Sequence, residues 1–220
     1  MIRVAVLMGG PSEEHEVSLK SGRGAVEALR QRGFAAEPVL IPRDLSTDEA
    51  CEMARCAIAP HEIDVVFIAL HGAFGEDGTI QHICESLHVA YTGSDAAASR
   101  LGMDKIASRQ RFLEAGLDVP RSRVVEASRN GPTAPKGLRL PLVVKPSAQG
   151  SSIGVSMVRR PAELAAAVRE AARHGGQVLM EEFIPGRELT VSVLGDDVLP
   201  VVEVIPKRAF FDFAAKYTAG

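Results

Sequence analysis

Over the first ninety residues, apolar runs alternate with segments of helical period. Ile2–Met8 is an apolar run rich in β-branched residues and closed by Gly9-Gly10-Pro11, which predicts a buried strand ending in a turn. Glu14–Arg32 predicts a helix stopped by Gly33. Ala35–Ile41, closed by Pro42, predicts a second strand, and Thr47–Ala59 a second helix. Val65–Leu70 predicts a third strand, His71–Gly78 a glycine-bearing loop and Thr79–Leu87 a third helix. Such alternation implies parallel pairing in a doubly wound α/β unit.

The pattern changes after Thr92-Gly93-Ser94. Asp95–Leu101 and Asp104–Ala115 predict short helices, and the polar stretch Ser128–Gly137 separates strands at Arg121–Ala127 and Leu140–Lys145. Pro146 is expected to break the ladder ahead of the small-residue loop Ser147–Gly154. Pro161 opens a helix to His174, and a strand follows at Gln177–Glu182. Glu188–Leu194 alternates strictly, and Gly195-Asp196-Asp197 turns it back into Leu199–Ile205 as a hairpin. This half reads as α+β with antiparallel strands. The expected division is a doubly wound parallel-sheet domain at 1–93, a central domain at 94–185 and the start of a third at 186–220. A hairpin is marginal alone, so the natural protein is expected to continue beyond Gly220.

Composition narrows the partners. Twenty-eight acidic against twenty-five basic residues give a net charge of −3, which argues against a nucleic-acid-coating protein. No apolar run reaches the roughly 18–20 residues of a membrane span, and the N-terminus lacks a signal-peptide pattern. Cys51, Cys56 and Cys84 are odd in number and lack metal-ligand spacing. They read as small hydrophobes in a reducing compartment, which points to the cytoplasm.

Four segments could carry chemistry. The turn after the first strand holds Glu13, Glu14 and Glu16 but no G-x-G-x-x-G. These acids are either first-turn residues favoured by the helix dipole or, for one of them, a holder of a substrate ammonium. His71-Gly72-Ala73-Phe74-Gly75-Glu76-Asp77-Gly78 lies where sites form in such sheets, although an ordinary turn with a surface histidine reads equally well. Lys145 sits beside the Ser/Gly loop 147–154, which is either a phosphate cradle or a flexible hairpin tip. The junction Glu181–Glu188 could meet a ribose and an adenine edge, or be a solvated acidic connection. Lys105, at a helix start after Met103-Asp104, is by default a surface lysine. A triphosphate carries about four charges, so Lys105 and Lys145 would need a divalent metal to complete its neutralisation.

Taken together, these segments resemble the D-alanine–D-alanine ligases of the ATP-grasp superfamily over nearly the whole chain. The resemblance rests on Gly9-Gly10-x-Ser12-x-Glu14-His15-Glu16-Val17-Ser18 with Ser21-Gly22, and on Ala69-Leu70-His71-Gly72 with Gly75-Glu76-Asp77-Gly78. It continues through Tyr91-Thr92-Gly93-Ser94, Met103-Asp104-Lys105 and Val144-Lys145-Pro146-Ser147 with Gly150-Ser151-Ser152-x-Gly154. It ends in Phe211-Asp212-Phe213 with Ala215-Lys216-Tyr217, similar to the family's mobile loop.

The resemblance implies ATP-dependent joining of two D-alanines through an acyl phosphate, for peptidoglycan precursor synthesis. Glu14 would bind the ammonium of the first D-alanine, with Ser151 and Tyr217 linked to it by hydrogen bonds. His71 would sit by the same substrate and Glu76 would support the loop network. Lys105, Lys145 and Lys216 would contact ATP phosphates under a loop that includes Ser152. Glu181 would face the adenine amino group and Glu188 the ribose, with Glu182, Phe183 and Ile184 alongside. A homodimer and Mg²⁺ (or Mn²⁺) are implied as well. The family's metal ligands and oxyanion-stabilising arginine are expected after Gly220, so no metal ligand is assigned and a chain of this length is expected to be inactive alone. The alternatives are a non-catalytic nucleotide- or D-alanine-binding fragment and a D-alanine–D-lactate or D-alanine–D-serine ligase.

Overall fold

Six of the seven residues of β1 (Arg3–Gly9) are buried, because this strand lies inside a four-stranded parallel sheet of order β2-β1-β3-β4. Its partners are β2 (Ala35–Ile41), β3 (Val65–Ile68) and β4 (Ala90–Tyr91). The computed structural model describes residues 1–58, 63–126, 137–175 and 177–205. Two compact units divide the chain, Met1–Arg111 and Phe112–Gly220.

In the first unit, side-chain alternation along β1 feeds two cores. Ala5 and Leu7 pack with residues of α2 (Thr47–Ala57) and α3 (Thr79–Ser86), including Ala50, Ala54, Ile80 and Ile83. Val4, Val6 and Met8 pack on the other face with Val26 of α1 (His15–Gln31). A Cβ on Gly22 would lie 2.5 Å from that of Met8, so the Gly22-Arg23-Gly24 triplet serves helix–strand packing. Ser46 and Glu49 form a reciprocal capping box that starts α2. Of the cysteines, Cys84 is buried and Cys51 half-buried, whereas Cys56 is exposed and is no core residue. Two further helices, α4 (Ala96–Met103) and α5 (Lys105–Glu114), follow β4. No helix among the described residues is long and apolar enough to cross a membrane.

The second unit carries an antiparallel sheet of order β5-β8-β6-β7, formed by β5 (Ser122–Glu126), β6 (Leu142–Pro146), β7 (Ser156–Val158) and β8 (Gln177–Glu182). Leu142, Val144, Val178 and Met180 bury one face against Leu164, Val168 and Ala171 of α6 (Leu164–Ala172). The helix expected from Pro161 begins as a 3₁₀ turn over Pro161–Glu163. Pro146 does not break the ladder: it is the last residue of β6 and pairs with Val178. The β7 pairing has already ended at Val144–Ser156, so Pro146 has strand neighbours on one side alone.

The single strand expected at Glu188–Leu194 is instead two, β9 (Glu188–Thr190) and β10 (Val193–Leu194). They pair with β12 (Val202–Val204) and β11 (Asp197–Val198) respectively. Between Thr190–Val202 and Val193–Val198 the returning strand advances one residue further than its partner. Pro200 lies in that extra stretch and has no N–H to give, so the ladder is interrupted by a bulge.

Candidate active site

In the first unit, β1 is followed by α1 and β2 on one side, while β3 lies on the other. The connections leaving β1 and β3 therefore part company at their C-terminal ends, which is where open α/β sheets form ligand crevices. The two loops at this point carry Glu14 and His71.

Burial separates the three acids of the first loop. Glu13 is exposed and pairs with Arg43 at 3.3 Å, and Glu16 is exposed on the first turn of α1. Glu14 is 5% exposed. It occupies the N-cap position of α1, yet its carboxylate makes no capping hydrogen bond with that helix. The side chain lies instead against the backbone of Gly72.

His71 follows β3 and is half-buried. Its Nδ1 lies 3.4 Å from Glu76 Oε1, and its Nε2 lies 3.1 Å from Ser21 Oγ of α1. The hydrogen bond with Glu76 raises the imidazole above its ordinary value, burial opposes this, and the charges of Glu76 and Glu14 add to the rise. Burial pushes the Glu76 carboxyl up, but hydrogen bonds from His71 and from the Gly72 N–H at 2.9 Å outweigh it and hold the group low. Carboxylates beside an imidazole that holds its proton more tightly than usual are groups able to meet a zwitterion.

Serines that the motif strings contain, but to which sequence reasoning attached no task, hold this arrangement together. Ser12 Oγ donates to the His71 carbonyl at 2.7 Å and accepts from the Glu14 N–H at 3.2 Å. Ser18 Oγ accepts from the Gly9 N–H at 2.8 Å and donates to the Ala69 carbonyl at 2.7 Å. Buried His15 bonds the Gly10 carbonyl through Nδ1 at 2.8 Å. Ser12, His15 and Ser18 recur at i, i+3 from the turn into the start of α1, a signal that reads equally as helix packing.

In the second unit, alternation along β6 and β8 places Lys145 and Glu181 on the face turned away from α6. They stand diagonally across the two strands and form an ion pair, with side chains 22% and 8% exposed. Glu182 has the opposite parity, and its carboxylate accepts from the Arg139 N–H at 3.0 Å. The Phe183 N–H bonds the Pro141 carbonyl at 3.0 Å, while Ile184 and Glu188 are exposed. Beyond β6, Ser151 and Ser152 hold φ values of +47° and +61°. Two successive non-glycine residues in the left-handed region store strain of a kind that clusters at functional sites. Lys105 is the first residue of α5, whose opening N–H groups at Ile106 and Ala107 are bonded by Asp104 Oδ1. Lys216 and Tyr217 lie outside the described residues. Among the described residues there is no group of three or more His, Cys, Asp or Glu placed to hold a metal ion.

Comparison with known proteins gives this architecture a family. The family descriptions "D-ala D-ala ligase N-terminus" and "D-ala D-ala ligase C-terminus" match residues 45–94 and 114–220. The chain is 46% identical over 220 residues to a D-alanine–D-alanine ligase of Anaeromyxobacter dehalogenans, covering 99% of this chain and 68% of the relative. It is 43% identical over 218 residues to one of Geobacter sulfurreducens, covering 99% of this chain and 66% of the relative. Among solved structures, the Bacillus anthracis D-alanine–D-alanine ligase superposes with a TM-score of 0.75 at 29% identity, covering 98% of this chain and 68% of that one. The VanG D-Ala:D-Ser ligase from Enterococcus faecalis gives a TM-score of 0.75 at 29% identity, covering 99% and 74%. The fold is therefore that of the ATP-grasp ligases. Within that class, the chain belongs to the D-alanine–D-alanine ligase family, and it spans about two thirds of the length of the curated relatives it matches.

Proposed function

We propose that this protein joins two D-alanines at the expense of ATP, supplying a dipeptide for peptidoglycan precursors. The observation that carries the reading is the buried Glu14 carboxylate at the parting of β1 and β3, beside the His71–Glu76 pair. Such a carboxylate can bind an ammonium through short charge-assisted hydrogen bonds.

The chemistry runs in two steps. The carboxylate of the first D-alanine attacks the γ-phosphorus of ATP, ADP leaves, and an acyl phosphate forms. The amine of the second D-alanine then attacks the acyl carbon, and phosphate leaves from the tetrahedral intermediate as the amide bond closes. Phosphorylation is needed because a free carboxylate is a poor electrophile. The protein contributes position and charge rather than a covalent intermediate of its own.

In this reading Glu14 holds the first ammonium, and Ser151 and Tyr217 are further catalytic residues. His71 and Glu76 shape the same subsite. Lys105, Lys145 and Lys216 serve to offset phosphate charge, and Ser152 belongs to the same nucleotide-binding set. Glu181 serves the adenine and Glu188 the ribose, flanked by Glu182, Phe183 and Ile184. The strained serine loop and the Lys145–Glu181 pair support the nucleotide half. The reading also includes a cytoplasmic homodimer, for which sedimentation supplies the test.

Because a D-Ala:D-Ser ligase superposes as well as a D-Ala–D-Ala ligase, the second substrate is the point to test. Phosphate release by the natural gene product is measured with D-alanine alone and with D-serine or D-lactate added. Saturable release with D-alanine alone, with dipeptide formed in equal amount, is expected. Release that requires D-serine or D-lactate would replace the reading with one of the related ligases.

A further inference from the structure

The ladder between β1 and β3 opens one rung early. The last residue pair is Leu7–Ile68, and the Ala69 N–H still bonds the Leu7 carbonyl at 2.9 Å. In a parallel ladder a residue that donates to position i accepts from position i+2, so the Ala69 carbonyl should receive the Gly9 N–H directly. It does not. The Ser18 hydroxyl stands between them, accepting from Gly9 at 2.8 Å and donating to Ala69 at 2.7 Å. On the other side of β1 the pairing with β2 runs on through Gly9–Ile41, and the Gly10 N–H bonds the Ile41 carbonyl at 2.8 Å. The strand ends thus separate on one side alone, by the width of one hydroxyl. Ser12 relays across the same gap one level higher, from the Glu14 N–H to the His71 carbonyl.

We propose that Ser18 is a positioning residue for the amino-acid subsite. Its hydroxyl replaces a ladder rung and sets the opening of the crevice in which Glu14 faces the His71 loop. This rests on the reading of Glu14 as the ammonium holder. Ser18 is fully buried on α1, where a serine would ordinarily bond its own helix or face water. With alanine at position 18 there are two outcomes. Either Gly9 and Ala69 keep an unpaired N–H and C=O in the interior, or the strand ends close into a direct rung. Both displace Glu14 relative to Gly72, against which it is already packed.

The test measures KM for the first D-alanine, KM for ATP and the folded fraction by circular dichroism in Ser18→Ala, Ser18→Cys and Glu14→Gln, each made in the natural gene product. Ser18→Ala is expected to raise the D-alanine KM about tenfold and leave the ATP KM unchanged. Should Ser18→Ala fail to fold, Ser18→Cys, which nearly keeps the volume but bonds poorly, is read on the same scale with the same direction expected. A kcat that falls in step with the folded fraction, with both KM values unchanged, would overturn the proposal while Glu14→Gln still raises the D-alanine KM. If Glu14→Gln leaves that KM unchanged, the reading of the subsite fails and the positioning role falls with it.

Discussion

The Glu14 carboxylate rests directly on the backbone of Gly72: a Cβ built at Gly72 would fall on Glu14 Oε2, far inside van der Waals contact. Gly72 also holds a φ of +66°, in the left-handed region. Two loops from different strand ends therefore meet with no side chain between them, and the carboxylate takes the space that a Cβ would fill.

Gly72→Ala should consequently act as a displacement of Glu14. The expected result is a D-alanine KM raised by about tenfold or more, with ATP affinity unchanged. Part of the change is backbone strain, on the order of 1 kcal/mol, visible as a lower melting temperature. Steady-state kinetics and a thermal melt on the same preparation separate the two effects.

Glu13 and Glu16 provide the contrast. Glu13 is paired with Arg43 at the surface, and Glu16 is exposed. Glu13→Gln and Glu16→Gln should each leave the D-alanine KM within about twofold of wild type and change stability by no more than about 0.5 kcal/mol. Parallel kinetics on both variants and Glu14→Gln check whether one acid alone carries the subsite.

Lys145 and Glu181 form the counterpart in the second unit. Lys145→Met removes the cation facing a buried carboxylate and should destabilise by about 3 kcal/mol, while ATP affinity falls about tenfold or more. Adding Glu181→Gln should restore most of the stability without restoring ATP affinity. Urea denaturation and nucleotide titration of the single and double variants test both halves.

The His71–Glu76 pair has its own pH window. Its histidine half is fully present below the ordinary histidine value of 6.5 and is lost as pH rises through the raised folded value. Its glutamate half is present above the ordinary value of 4.5 and is lost as pH falls through the lowered folded value. The pair is therefore at full strength between these two ordinary values. The stability difference between wild type and Glu76→Gln should be larger near pH 5.5 than near pH 8.5, measured by chemical denaturation.

The parallel sheet was legible in the sequence because β1, buried on both faces, reads as an apolar run, and glycines and prolines mark the ends of the elements around it. The break between β9 and β10 was not, since strict alternation continues through Val191 and only the position of Pro200 in the returning strand hints at the bulge. Composition could not choose among Glu13, Glu14 and Glu16; that depends on how the turn enters α1. Nor could it show Ser18 as a relay, because its partners lie nine and fifty-one residues away. Lys145 and Glu181 were each visible as charges at strand positions, but their pairing depends on register.

The most direct measurement is the dependence of phosphate release on D-alanine in wild type and Glu14→Gln, each at saturating ATP, together with ATP affinity. If Glu14 grips the ammonium of the first substrate, the D-alanine requirement rises by about 10- to 100-fold and ATP binds as before. An unchanged D-alanine requirement, or a loss confined to ATP binding, would contradict the account.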